Sequence, residues 1–232
     1  MAGVAVLVAA ALATRLAGPG AGPASPAPWQ LERVEGRLQA FGLQLPGTTL
    51  AQLELRFGSN LVLALVERRG RADSLEAYVE RHDAGGVLGR LVFELQADAA
   101  QLQRWREASP RQQRGGADTL RHELAASDRS AAQTLAVQRI VFIVQSRLAP
   151  EAIEQRFGPP SERQPLPGGV ECWHWQRTGV ELLRSADGAV VLSYPAPGVS
   201  STCGSATLHE PLLGEGRAQG PALGALRTAP AS

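Results

Sequence analysis

The stretch Glu154-Gln155-Arg156-Phe157-Gly158-Pro159-Pro160 has an echo at Glu54-Leu55-Arg56-Phe57-Gly58, an offset of 100 residues. Each copy reads as the end of a short amphipathic helix. In the second, Pro150 suits the first helical position, where its missing N–H is no loss, and Glu151 sits where the helix dipole favours negative charge. Ile153 and Phe157 share a face. Gly158 can take the left-handed conformation that ends a helix, and Pro159 forbids continuation. In the first copy Thr49 and Gln52 form a capping-box pattern, and Leu50, Leu53 and Phe57 make the apolar stripe. Both phenylalanines read as core anchors and both glycines as caps.

Strand-like segments follow each copy. After the first they fall at about 60–68, 74–82 and 87–96, with a hairpin turn at His82-Asp83-Ala84-Gly85-Gly86. In the third, Leu91, Phe93 and Leu95 share one face, while Arg90, Val92 and Glu94 share the other. After the second copy the strands read as Glu171–Arg177, Val180–Ser185 and Ala189–Tyr194, with Ala186-Asp187-Gly188 turning between the last two. Between the copies, Asp98 and Gln101 cap a helix carrying Leu102 and Trp105. Residues 110–117 read as a loop and 118–135 as a polar helix. The run Ile-Val-Phe-Ile-Val within Gln138–Gln145 reads as a buried strand. Ahead of the first copy, Leu31, Val34, Leu38 and Phe41 fall at helical spacing. The expected fold is α+β: two related units, each with helices packed on one face of an antiparallel sheet. The expected divisions are 1–24, 25–108 (first unit), 109–137 (helical connector), 138–197 (second unit) and 198–232 (disordered tail).

The chain has 232 residues, of which 44% are hydrophobic and 19% charged, the composition of a globular protein. Its net charge is +1, which excludes a global basic field for nucleic-acid binding. Its 23 basic residues other than histidine are all arginine. Residues Ala2 to Ala13 form an uncharged apolar run too short to span a bilayer, which needs roughly 20 residues. Its length suits a signal-peptide core, with Gly22-Pro23-Ala24 as the cleavage site before Ser25, although no basic residue precedes the run. Residues 1–24 are therefore expected to be a signal peptide or N-terminal anchor, and the protein to be periplasmic or in the cell envelope. Cys172 and Cys203 pair in an oxidising compartment or stay as two free thiols; the pattern leaves both open.

The second unit resembles the small outer-membrane-assembly lipoprotein family (SmpA/OmlA, also called BamE) and the related tandem-repeat β-lactamase inhibitor fold. The resemblance rests on Pro150 to Gly158, Gly158-Pro159-Pro160, Trp173-His174-Trp175 and Ala186-Asp187-Gly188-Ala189-Val190. It covers about 50 residues well, and the first unit more faintly. It implies an envelope or secreted binding module without a cofactor. The chain departs from the lipoproteins in having no cysteine near residues 14–30 for lipid attachment.

No nucleophile elbow, zinc-protease or phosphate-loop pattern occurs, so no catalytic residue is expected. Cys172 and His174 share a strand face, but a metal would need further ligands such as His82 or His122, whose spacing gives no support. Glu76 and Glu80 share a face as paired acids do, and a solvated face explains them better. Trp173 and Trp175 point to one side of their strand. That side is core if helices cover it; if it faces outward with Tyr78 and Tyr194, it makes an aromatic partner surface. Arg104, Arg106, Arg111 and Arg114 make a local positive patch, partly offset by Glu107; Arg104 and Arg111 are its candidate partner contacts. The expected function is non-catalytic: an exported bacterial envelope protein binding another protein through a sheet face or the groove between units. A secreted inhibitor or ligand-binding module is the alternative.

Overall fold

The computed structural model describes residues 25–203 apart from Ala117. The expected signal segment 1–24, and the part of the expected tail beyond Cys203, lie outside the described residues.

Antiparallel strands dominate. A small sheet is built from β1 (Glu32–Val34), β2 (Arg37–Ala40) and β3 (Leu43–Leu45). The other strands are β4 (Leu61–Arg68), β5 (Ser74–Ala84), β6 (Val87–Leu95), β7 (Gln112–Gly116), β8 (Thr119–His122), β9 (Val137–Val144), β10 (Glu162–Leu166), β11 (Val170–Trp175), β12 (Val180–Arg184) and β13 (Val190–Pro195). They form one continuous sheet in the order β10-β11-β12-β13-β9-β6-β5-β4-β8-β7. The helices are short: α1 (Leu50–Phe57), α2 (Ala99–Glu107), α3 (Ala126–Ala132) and α4 (Pro150–Phe157).

This corrects the expected fold. There are not two α+β units, each with its own sheet and helical layer. Strand β9 pairs with β6 on one side and β13 on the other, antiparallel to both, and so fuses the two halves into one sheet. One core cluster runs from Leu38 and Leu50 through Phe93 and Phe142 to Trp173 and Tyr194. Among the described residues the boundary between the expected units is thus a pair of adjacent, hydrogen-bonded strands rather than a gap between two sheets.

Alternation along the strands separates the two faces. Leu75, Ala77 and Val79 of β5, Leu91, Phe93 and Leu95 of β6, and Ile140 and Phe142 of β9 face the main core. Leu50 and Leu53 of α1, Leu102 and Trp105 of α2, Ala132 of α3 and Ile153 of α4 join them there. The opposite face holds a second cluster, which includes Ala64, Val66, Tyr78, Val92, Val141, Ile143 and Cys172 and, among the described residues, no helical one.

The helix ends follow their sequence signals. Thr49 and Gln52 make the reciprocal capping box of α1. Asp98 accepts from the Gln101 N–H at the start of α2. Gly58 and Gly158 each have positive φ and donate to the carbonyls of Glu54 and Glu154. The echo extends to partners: Glu54 pairs with Arg129 and Glu154 with Arg163.

Two local readings fail. Residues 29–41 are not helical. Glu35-Gly36 and Phe41-Gly42 all have positive φ, which makes two-residue hairpin turns between β1, β2 and β3 and overrides the helical spacing. Residues 110–135 are not a loop and helix: β7 and β8 form a hairpin, and α3 occupies only Ala126–Ala132. The polar stretch after Pro160 is the edge strand β10.

Gly89 in β6 packs against β9 so closely that a Cβ there would lie 2.4 Å from Phe142 Cε2 and 2.7 Å from the Ile143 carbonyl oxygen. Gly89→Ala is expected to destabilise the fold by about 1–3 kcal/mol through overpacking, read as a lower urea midpoint. Adding Phe142→Leu should recover part of that loss, since the ring is half of the obstruction.

Candidate functional site

The expected aromatic surface is not a surface. Trp173, Trp175 and Tyr194 are buried in the main core. Tyr78 is buried on the opposite face. Rings stack from Trp173 to Trp175 (6.2 Å between centroids), to Phe157 (5.2 Å) and to Trp29 (6.3 Å). The Trp175 indole N–H donates to the Gly158 carbonyl, which locks the helix-ending glycine to β11. The Tyr194 hydroxyl donates to the Pro28 carbonyl, and burial raises its pKa well above the ordinary value.

The histidines are dispersed. His82 Nε2 lies 2.9 Å from Ser25 Oγ and its ring packs on Phe41 and Phe57. His122 Nε2 lies 3.0 Å from Glu67 Oε2. His174 lies on β11 beside Cys172, which is bonded to Cys203. Among the described residues no group of three His, Cys, Asp or Glu side chains is placed to hold a metal. Glu76 and Glu80 each meet a different arginine, Arg68 at 2.6 Å and Arg90 at 3.5 Å, rather than each other. Burial pushes the Glu76 carboxyl up, but hydrogen bonds and charge from Arg68, with Ser74 and Arg90, outweigh it and hold the group below its ordinary value. Its contribution to stability is therefore full above pH 4.5, its unfolded value, and is lost as pH falls through the lower folded value. Glu76→Gln should flatten that part of the acid-unfolding profile as pH falls below 4.5, measured by urea midpoints across the range.

Two features lie on the face of the second cluster. In the first, Tyr78 lies between the guanidinium groups of Arg90 (4.7 Å from the ring centroid) and Arg121 (4.9 Å). In the second, the chain after β13 turns back over the sheet and is tied down at 200–203. Buried Arg139 of β9 donates to Glu94, Ser193, Thr202 Oγ1 and the Ser200 carbonyl. The Thr202 N–H donates to Glu181 at 2.7 Å, and Cys203 is bonded to Cys172 of β11. The loose tail expected from residue 198 is thus strapped to the sheet as far as Cys203. Apart from the two cysteines, none of these strap residues was expected from sequence.

A cleft of about 270 Å³ opens where β8 ends, lined by Leu61–Ala64 and Tyr78 with Arg111, Gln113, Arg121, His122, Glu123 and Arg129. Of the expected basic patch, Arg111 reaches this cleft. Arg104 lies exposed on α2, and Arg106 pairs with Asp73.

The chain matches no protein-family model, no curated protein and no solved structure. Among the described residues no helix is long and apolar enough to cross a membrane.

Proposed function

We propose that this chain is an exported bacterial envelope protein that binds another protein through its ten-stranded sheet without catalysing a reaction. The observation that carries this reading is the asymmetry of the sheet. Among the described residues, helices α1 to α4 contribute to the core on one face, and beside the other opens a cleft lined by Arg111, Arg121 and Arg129, with buried Tyr78 behind Arg121. Arg and Tyr are the side chains enriched at protein–protein hot spots. The disulfide supports the export half, because such bonds persist in oxidising compartments. The resemblance of residues 148–195 to envelope assembly lipoproteins points the same way.

The test is in-cell crosslinking of the chain tagged after Ser232, followed by cell fractionation. Recovery from the envelope with a stoichiometric protein partner is the expected result. Recovery from the cytosol, or from the envelope with no protein partner, overturns the reading.

A further inference from the structure

Strand β4 is covered on one side along most of its length but on the other only in part. Its pairing with β5 runs from Leu61 to Val66, whereas its pairing with β8 begins at Leu65 opposite His122 and continues to Arg68. At His122 the chain leaves the sheet, and the Glu123 N–H bonds to the Arg111 carbonyl instead. Among the described residues no strand therefore lies beside Leu61-Val62-Leu63-Ala64, which line the cleft; the Leu61 N–H bonds back to the Gly58 carbonyl, and the outward groups beyond it have no strand partner. Such a row of unpaired groups is a template for one more strand.

The two outer edges of the sheet are defended differently. β10 carries Pro165, which offers no donor, and β7 is kinked by a register shift between Arg114 and Gly116. Leu61–Ala64 has neither Pro nor Gly, and Val62 is 42% exposed, one of few large apolar side chains so placed.

The charge around this edge has one sign in excess. Arg111, Arg121 and Arg129 line the cleft against Glu123 alone. Arg129 is held by Glu54 and Arg111 stands 3.9 Å from Glu123, whereas Arg121 makes no ion pair among the described residues and is held by the Tyr78 ring. His122, 2% exposed, also lines the cleft, and its Nδ1 has no hydrogen-bond partner.

Resting on the protein-binding reading above, the geometry points to the open β4 edge at Leu61–Ala64 as a slot for an extended, acidic segment of a partner protein. The segment continues the line of β8, with main-chain bonds to β4 giving affinity and its carboxylates meeting Arg121 and Arg111. Side chains of alternate residues fall on Val62 and towards the arginines.

The test uses the full oxidised chain and a fluorescent seven-residue peptide of alternating Glu and Val. Anisotropy gives binding, and hydrogen exchange reports on the amides of 61–64. The expected result is saturable binding, slowed exchange at the outward amides of 61–64, and about tenfold weaker binding for Arg121→Glu, for Val62→Lys and for a peptide N-methylated at alternate residues. If Arg121→Glu does not fold, Val62→Lys carries the comparison. No saturable binding up to about 1 mM, equal binding of a Lys-Val peptide, or binding without protection at 61–64 overturns the slot. Protection present before peptide is added also overturns it. If that protection grows with protein concentration, the occupant is a second copy; if not, it is another part of this chain. In-cell crosslinking separates the two levels: a partner recovered equally by Arg121→Glu and Val62→Lys rejects the slot and leaves protein binding standing, whereas no partner with any chain rejects both.

Discussion

Arg139→Met is expected to lower the stability of the chain by about 2–3 kcal/mol, the cost of leaving buried hydrogen-bond partners unmade, because Glu94 itself is 32% exposed and can be hydrated. The methionine keeps the length of the apolar stem, so the loss is one of polar partners rather than volume. The Arg139 side chain is only 10% exposed and pairs with Glu94 at 3.0 Å. Its other donors satisfy Ser193, Thr202 and the Ser200 carbonyl. Without the guanidinium, Glu94 keeps the amide of Gln138 as its one side-chain partner among the described residues, and the strap loses its tie to the centre of the sheet. The urea midpoint should fall with the slope unchanged. A loss below about 1 kcal/mol, the scale of a surface pair, would mean that the network does not hold the strap.

Replacing Cys172 and Cys203 together by serine is expected to cost about 3–4 kcal/mol. The two cysteines are 31 residues apart with Cα atoms 5.8 Å apart, and closing a loop of that length removes this much entropy from the unfolded chain in the chain-entropy model. Reducing agent should reproduce the loss in the parent chain and do nothing to the double serine variant. Because the disulfide and Arg139 hold the same strap, their losses should not add: once one is removed, the other restrains a segment already partly free. Additive losses would show that the two act on separate parts of the fold.

Features set by neighbours in sequence were legible. The caps at Thr49 and Asp98, Pro150 in the first turn of its helix, and the glycines at 58 and 158 follow from rules spanning four or five residues. So does the split of β6 into Leu91, Phe93 and Leu95 against Arg90, Val92 and Glu94. What failed depended on distant partners or on competing local rules. The apolar run of β9 announces burial on both faces, but nothing local says that its two neighbours are β6 and β13; that pairing turns two expected units into one sheet. Residues 29–41 satisfy a helical spacing and a hairpin pattern at once, and Gly36 and Gly42 decide for the hairpins. The alternation of Trp173 and Trp175 shows that they share a side, while only the packing of Phe157 and Trp29 shows which side is covered. The cleft could not be read at all, because it exists where β8 stops short of the end of β4.

The proposed export requires that the strap over the sheet be locked by Cys172–Cys203 in the cell. The direct measurement is acid quenching of the native cells, alkylation of free thiols and mass spectrometry of the peptides that contain the two cysteines. The account predicts that both cysteines escape alkylation until the sample is reduced, and that they are then recovered as a linked pair. Cysteines alkylated at the quench would contradict it.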